Sequence, residues 1–258
     1  MDALKYIVED VLKALEARKA SPEFNSKLGA LLESRREVLP LVKSPEGNSI
    51  IAEVKFASPS EGDISGERLE DVVSEYVNGG ASALSILNEQ DHFKGSLKFI
   101  ERARKIAQIP ILRKDFIVDE FQLKEARAYG ADGVLLIAQL LDDRLAEFIK
   151  NASSLGLWSL VETRNLEEVE KALSAGADAI GINNRDLKTL KVDLNTTIRL
   201  SERIPKNKIL VAESGINKPA DIQKLKNECQ RKPDFYLIGT SLMKARDRMT
   251  SLKALEEA

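Results

Sequence analysis

The run Ile50-Ile51-Ala52-Glu53-Val54-Lys55-Phe56-Ala57-Ser58-Pro59-Ser60 sets an acid and a base two positions apart where an apolar stretch breaks into a loop. Residues two apart on a strand share a face, so Glu53 and Lys55 point the same way. An unpaired carboxylate in such a run costs several kcal/mol unless a cation or hydrogen-bond donors meet it. The pattern of apolar run and terminal polar residue returns along the chain: Asn88 and Glu89, Lys114 and Asp115, Glu162, then Asn183, Arg185 and Asp186, and finally Glu213 with Ser214. Lys55, Lys114 and Arg185 are the cations available to Glu53, Glu162 and Glu213. Lysine and glutamate so placed can do general acid and base work, which contributes about 10²- to 10⁴-fold per group. The single histidine, His92, has no second histidine or cysteine nearby, so a transition-metal site is not expected. The sequence contains no Walker-type glycine loop and no serine–histidine pairing. Acid and base roles therefore fall to lysine and glutamate.

These residues need elements to hold them. Short apolar runs at Ile50–Val54, Ala83–Leu87, Ile109–Arg113, Val134–Ala138, Trp158–Val161, Ala179–Ile182, Ile209–Ala212 and Phe235–Ile238 read as strands. Helical stretches are expected near 67–78, 96–107, 119–129, 142–155, 165–175, 194–203, 218–228 and 241–256. Gly80-Ala81-Ser82-Ala83, Gly130-Ala131-Asp132-Gly133 and Gly176-Ala177-Asp178-Ala179 each close a helix and open a strand, 50 and 46 residues apart. Each interval then holds two strand–helix units. Eight such units predict a (β/α)8 TIM barrel of the α/β class; a doubly wound open sheet is the alternative, disfavoured because no G-x-G-x-x-G follows the first strand.

Ahead of the barrel, Leu4, Ile7, Val8, Val11, Leu12 and Leu15 fall on one helical face, and Asn25–Leu39 suggests a second helix, interrupted by Gly29 and closed by Pro40. Residues 1–45 are expected to be an N-terminal helical extension packed over one end of a single domain spanning 1–258. Mixed charge on the polar face of the first helix favours packing on the protein over binding a membrane surface.

In such a barrel the reactive groups sit at the C-terminal ends of the strands. Ser214 and Gly215 after strand seven, with Gly239 and Thr240 after strand eight, form a second constellation there, and barrels often bind phosphate at these two loops. The loop from Phe56 to Gly66, which includes Ser58, exceeds the usual two to six residues and reads as a lid or substrate wall, with a tolerated insertion as the rival. Phe56, Phe93 and Phe116 follow strands one to three and are candidates for an apolar pocket wall, core packing being the alternative.

The chain has 258 residues, with 39 basic and 41 acidic ones nearly cancelling to a net charge of −2. No basic block suggests a nucleic-acid partner. No segment approaches the roughly 20 apolar residues of a membrane span, and the N-terminus lacks the apolar core of a signal peptide. One cysteine, Cys229, excludes an intramolecular disulfide framework and fits a reducing compartment, so the cytoplasm is expected. A small-molecule partner and a monomer are the expectations.

IIAEVKFASPS from Ile50, Phe93-Lys94-Gly95-Ser96, ILRKDFIVDEFQ from Ile111, GADGVLLIA from Gly130, LVETRN from Leu160, GINNRDL from Gly181, VAESGI from Val211 and LIGTSLM from Leu237 occur in an order that resembles the indole-3-glycerol phosphate synthase family over nearly the whole chain. The resemblance implies a lyase of tryptophan biosynthesis that cyclises, decarboxylates and dehydrates 1-(2-carboxyphenylamino)-1-deoxyribulose 5-phosphate without a cofactor. It implies Lys114 as general acid toward the ribulose carbonyl and Glu162 as the base that helps expel water. Lys55 becomes a substrate-oxygen ligand and candidate second acid, and Glu53 orients the anilino nitrogen. Asn183 and Arg185 hold substrate oxygens, with Ser58 nearby, and Glu213 supports the lysines. Ser214, Gly215, Gly239 and Thr240 take the phosphate, and Phe93 and Phe116 flank the aromatic ring. Like-charge repulsion from Lys55 and Arg185 is expected to lower the pKa of Lys114. Phe56 stands where the family often has a basic residue, and Asn88 where threonine is common. Two rivals are an aldose–ketose phosphoribosyl isomerase and a barrel that only binds a phosphorylated ligand.

Overall fold

The computed structural model describes residues 3–33, 36–186 and 189–258. Eight parallel strands close into a barrel in the order β1-β10-β9-β8-β7-β6-β5-β4. They are β1 (Ser49–Val54), β4 (Ala83–Leu87), β5 (Ile111–Lys114), β6 (Gly133–Ile137), β7 (Trp158–Thr163), β8 (Ala179–Asn183), β9 (Ile209–Glu213) and β10 (Phe235–Ile238). Their two faces bury different sets of residues. Ile51, Ala83, Leu112, Leu135, Leu160, Ala179, Val211 and Phe235 fill the barrel interior. Their neighbours Ile50, Ala52, Leu84, Ile86, Ile111, Val134, Val161, Ile180 and Leu210 pack outward against the helices. Both faces are buried, which is why the strands read as continuous apolar runs.

The outer ring comprises α3 (Leu69–Asn78), α4 (Leu97–Arg104), α5 (Glu120–Tyr129), α7 (Leu145–Ser154), α8 (Leu166–Ser174), α9 (Asn195–Leu200), α10 (Pro219–Glu228) and α12 (Arg248–Glu256). α5 shows how sequence sets these boundaries. Asp119 and Gln122 form a reciprocal capping box at its start, and Gly130 ends it at φ +99°. Gly80 and Gly176, the other two glycines of the repeated motif, also have positive φ. Replacing Gly130 by Ala is expected to destabilise the fold by about 1 kcal/mol, because a Cβ disfavours the left-handed region; the urea midpoint measures it.

Several boundaries differ from the predicted ones for definite reasons. The third barrel strand begins at Ile111 and not Ile109, because Pro110 has no N–H for the ladder and contributes only its carbonyl, to Leu84 N at 2.8 Å. The expected helix over 241–256 is two pieces, α11 (Thr240–Met243) and α12, since the Asp247 side chain accepts from Thr250 N at 2.9 Å and restarts the helix. A four-residue helix, α6 (Ala138–Leu141), follows β6 directly. The long first loop holds a small hairpin, β2 (Ala57–Ser58) and β3 (Gly62–Asp63).

The extension forms α1 (Ala3–Ala20) and α2 (Pro22–Glu33). α2 starts earlier than the sequence suggests because Ser21 Oγ accepts from Phe24 N at 3.2 Å, with Pro22 next in line. It continues through Gly29 and stops by Glu33, so the expected helix does not run to Leu39; residues 34–35 lie outside the described ones. On the apolar face of α1, Ile7, Val11 and Leu15 are buried while Leu12 is exposed.

The extension was expected over one end of the barrel and reaches both. Leu4 and Ile7 of α1 border a cavity at the C-terminal ends of the strands. Leu39, beyond α2, is tied to the opposite end: its amide donates to Asp132 Oδ1 at 2.7 Å, and its carbonyl accepts from Trp158 Nε1 at 3.1 Å. Buried charge helps dock α1. Arg18 Nε meets Glu125 Oε1 at 2.6 Å, and Glu125 also receives Arg113, at 3.1 Å.

Candidate active site

The cavity at the C-terminal ends of the strands has a volume of about 450 Å³, within the range of small-molecule sites. Its floor follows from strand alternation. Two residues beyond an interior apolar side chain, the same face carries a functional one: Ile51 then Glu53, Leu112 then Lys114, Leu160 then Glu162, Val211 then Glu213, and Ala179 then Gly181 then Asn183. Lys55 stands at the rim above Glu53. Every residue singled out above as catalytic or substrate-binding borders this one cavity: Glu53, Lys55, Ser58, Phe93, Lys114, Phe116, Glu162, Asn183, Arg185, Glu213, Ser214, Gly215, Gly239 and Thr240.

The charges are paired across the floor. Lys55 Nζ lies 2.7 Å from Glu53 Oε1. Lys114 Nζ lies between two carboxylates, 3.4 Å from Glu162 Oε2 and 3.1 Å from Glu213 Oε2. All three glutamates are buried. Space for two of these carboxylates depends on absent side chains: a Cβ on Gly181 would stand 1.9 Å from Glu213 Oε1, and one on Gly239 would stand 2.3 Å from Glu53 Oε1.

The electrostatics correct one expectation. The pKa of Lys114 is raised, not lowered. Burial works to lower it, but Glu213, Glu162 and Glu53 outweigh that. Lys55, whose charge was expected to repel Lys114, is paired with Glu53. Burial likewise works to raise Glu53, yet Lys55 and Lys114 hold it below the usual carboxylate value. Glu213 goes the other way, with burial pushing it up to about 7 against the pull of Lys114, and Glu162 and Glu53 adding to the rise.

Ser214 and Gly215 follow β9, and Gly239 and Thr240 follow the adjacent β10, so the four line one side of the cavity together. Ser214 sits at φ +66°, an uncommon conformation for a residue with a side chain. Asn184 Nδ2 donates to its carbonyl at 3.1 Å and helps hold the turn. Arg185 is oriented by Asn183, whose Oδ1 accepts the Arg185 amide at 2.9 Å, and by a bond from Arg185 Nη1 to Leu190 O at 3.1 Å.

Phe93 and Phe116 lie with ring centres 6.0 Å apart on the side away from the loops after β9 and β10. Phe56 does not join them. Its ring packs edge-on against Phe99, 5.6 Å away, and belongs to the helix layer and not the cavity wall. Asn88 and Glu89 also lie outside the cavity lining. The Glu89 carboxylate accepts the amides of Asp91, His92 and Phe93 at 3.0, 2.8 and 3.1 Å, which shapes the loop that presents Phe93. Asn88 Nδ2 donates to Ser96 O at 2.7 Å within the same loop. Asp115 reaches the wall, but its carboxylate is engaged by the wholly buried Arg113. Asp186 accepts from Thr189 N at 2.8 Å and closes its own loop.

The first loop, expected as a lid or substrate wall with a tolerated insertion as the rival, lies at the cavity. Ser58, Pro59, Ser60 and Glu61 border the cavity, and ion pairs hold the loop on two sides, Asp63 to Lys94 at 2.7 Å and Glu61 to Lys244 at 2.5 Å. Apolar wall residues escaped the sequence reading. Leu135, Ile137 and Leu237 could have been found by counting in twos along β6 and β10 from their interior neighbours. Leu4 and Ile7 carried no such signal, since amphipathicity gives the buried face of a helix but not what covers it.

Fold and site together define a class: a (β/α)8-barrel enzyme that gathers lysines and glutamates in one cavity at the C-terminal ends of its strands. The chain belongs to the indole-3-glycerol phosphate synthase family, whose profile matches residues 4–255. An indole-3-glycerol phosphate synthase of Aquifex aeolicus is 46% identical over 240 residues, covering 91% of this chain and 92% of the relative. One from Endomicrobium trichonymphae is 40% identical and covers 98% of this chain and 99% of its own. Among solved structures, a 3-hexulose-6-phosphate synthase superposes with a TM-score of 0.62 at 16% identity, over 81% of this chain and 98% of its own. A thiamine phosphate pyrophosphorylase from Pyrococcus furiosus gives 0.61 at 18%, over 81% and 93%. At such identities these structures speak for the fold alone.

Proposed function

We propose that this chain catalyses the reaction of its family, the closure of an indole ring from 1-(2-carboxyphenylamino)-1-deoxyribulose 5-phosphate with loss of carbon dioxide and water. The observation that carries the assignment of roles is the position of Lys114, charged and shared between Glu162 and Glu213 on the floor of the cavity. Lys114 is the general acid that protonates the ribulose carbonyl as the aromatic carbon attacks it. Its raised pKa keeps it in the proton-bearing form an acid requires throughout the neutral range. Glu162 is the base of the dehydration.

The other walls sort the substrate by chemistry. Ser214, Gly215, Gly239 and Thr240 take the phosphate. Phe93 and Phe116, 6.0 Å apart, flank the aromatic ring at the other end. Lys55, Asn183, Arg185 and Ser58 hold substrate oxygens, and Glu53, held ionised by Lys55, orients the anilino nitrogen. The two ends are thus an anion site and an apolar slot with the acid and base between them. Binding there pays for orientation, which is the larger part of what such a site supplies.

The chain is proposed to act as one barrel unit, with residues 1–45 as its extension, as a cytoplasmic monomer. No helix among the described residues is long and apolar enough to cross a membrane. Sedimentation equilibrium reads the oligomeric state directly.

The test adds the carboxyphenylamino substrate to the purified full-length chain and follows indole fluorescence together with carbon dioxide release. Both signals are expected. An aldose–ketose isomerase would consume substrate with no carbon dioxide, and a binding-only barrel would consume none; either result from folded protein overturns the proposal. Glu162→Gln is expected to lower kcat by about 10²-fold or more, with the KM little changed, because the lost group acts in the transition state. Normal turnover by this variant would remove Glu162 from its role even with the reaction correct.

A further inference from the structure

Among the described residues the cavity floor holds three buried carboxylates, Glu53, Glu162 and Glu213, and two ammonium groups at contact distance. Lys55 serves Glu53, so Lys114 must serve both of the others. Glu213 is the more deeply placed of that pair, at 1% exposure against 4% for Glu162. Only Oε2 of Glu213 meets Lys114. Its Oε1 is buried, has no hydrogen-bond partner among the described residues, and is pressed toward the backbone of Gly181. A carboxylate anion spreads its charge over both oxygens. With one of them dry and unpartnered, it loses solvation that nothing returns, whereas the neutral acid loses far less.

The chemistry of the proposed reaction asks for such a group. In ring closure the aromatic carbon bonds to the ribulose carbonyl carbon, and the carbonyl oxygen takes a proton and becomes a hydroxyl. The carboxylate leaves as carbon dioxide, its bonding pair restoring the aromatic ring. In dehydration the hydroxyl takes a second proton and departs as water, the nitrogen lone pair assisting through the ring, and the adjacent methylene gives one proton to a base. Two protons enter and one leaves. Each turnover therefore consumes one proton that the substrate does not return.

We propose that Glu213 rests as the neutral carboxylic acid and passes its proton to Lys114 after Lys114 has protonated the substrate, making it the proton store of the site. The inference rests on the reading of Lys114 as the acid. The transfer turns a neutral acid and a neutral amine into a carboxylate and an ammonium 3.1 Å apart, an attractive pair. Glu162, 3.4 Å from the same ammonium, returns the methylene proton by the same route. Glu213 refills from solvent once the product leaves the cavity.

The charged groups facing Glu213 are Lys114 from β5, Glu162 from β7 and Glu53 from β1, with Lys55 and Arg185 at the rim. The flanking strands present Asn183 on β8 and Leu237 on β10, with Gly239 just after it, none of which titrates. The burial of Glu213 and its two like-charged neighbours account for its value of about 7.

Infrared difference spectra of the ligand-free full-length protein, recorded across a pH titration, test the assignment without any substrate. A buried carboxylic-acid carbonyl band is expected at pH 6, fading as the pH rises through about 7. It should vanish in Glu213→Gln and persist in Glu162→Gln. No band in the wild type at pH 6, or a band that follows Glu162, overturns the proposal. Kinetically, wild-type kcat should fall as pH rises through the same value, and Glu213→Gln should lower kcat by about tenfold and abolish that inflection. An inflection that survives in the variant also overturns the proposal, because a residue that merely positions Lys114 would leave it in place. Absence of indole formation by the wild type would sink the reaction assignment instead, and the infrared result would still decide where the proton rests.

Discussion

Lys114→Ala is expected to lower the rate of indole formation by about 10²- to 10⁴-fold, the usual contribution of a general acid, while leaving affinity for a phosphorylated product analogue within a few-fold. The split follows from the layout. Ser214, Gly215, Gly239 and Thr240, which are to hold the phosphate, follow β9 and β10, across the barrel from β5. Stability should respond to pH as well. Lys114 is the ammonium at contact distance from Glu213, and its removal leaves a buried carboxylate that can remain comfortable only as the neutral acid. A group whose folded-state pKa is raised contributes fully below its unfolded value, and that contribution is lost as pH rises. Glu213 already sits at about 7 against an ordinary 4.5 with the ammonium present. The variant should therefore lie closer to wild type in melting temperature at pH 5 than at pH 8. Steady-state kinetics, product-analogue titration and melting curves at the two pH values check the three parts. Unchanged turnover by folded protein would return Lys114 to the role of a structural charge.

Most of the barrel was legible because two periodicities coincide with strong punctuation. β4 and β10 fall on the predicted bounds, where an apolar run is closed on both sides by a polar residue or a glycine, Ser82 and Asn88 for β4 and Asp234 and Gly239 for β10. β5 was misplaced at its start because hydrophobicity carried through Ile109 and Pro110 while Pro110 has no N–H to give the ladder. The last helix was read as one because its apolar spacing continues across a break that a single side chain, Asp247, imposes. The site residues were legible for a related reason: a buried strand has few causes to end in a charge, so Glu53, Lys114, Glu162 and Glu213 stood out before any geometry was known.

What escaped was pairing in space. The pKa of Lys114 was expected to fall because the nearby cations were counted without their partners. Three carboxylates converge on Lys114 from β1, β7 and β9, strands far apart in sequence, and only the closed barrel brings them together. Phe56 was grouped with Phe93 and Phe116 by its position after a strand. Its neighbour in sequence, Lys55, takes the inward face, so alternation sends Phe56 outward to Phe99. Gly181 and Gly239 were read as motif members, yet both have a steric duty toward a glutamate on the neighbouring strand that no local pattern discloses. Nor could amphipathicity reveal that α1 reaches the catalytic end.

The repeated glycine motif gives the sharpest contrast between sequence likeness and physical role, and it sets the largest expected effect on stability. Gly130-Ala131-Asp132-Gly133 and Gly176-Ala177-Asp178-Ala179 read alike, and both open a strand. Asp132 is wholly buried and accepts from Arg36 Nη2 at 2.6 Å, Leu39 N at 2.7 Å, Ile111 N at 2.8 Å and Arg104 Nη2. Asp178 is a solvent-facing carboxylate with one side-chain partner among the described residues, Lys208, at 3.0 Å. Asp132→Ala strands two guanidinium groups and two backbone amides at the end of the barrel where the extension is fastened. Breaking a buried pair from one side costs about 3–5 kcal/mol, which for a domain of this size corresponds to a melting-temperature fall of about 10 °C. Asp178→Ala should stay within about 0.5 kcal/mol of wild type. Asp132 lies at the opposite end from Lys114, so kcat per folded molecule should hold in both variants, and protease cleavage within residues 36–48 should accelerate only in Asp132→Ala. Equal losses from the two aspartates would mean that the motif acts through its turn alone and that the clasp on Arg36 and Leu39 contributes nothing to holding the extension.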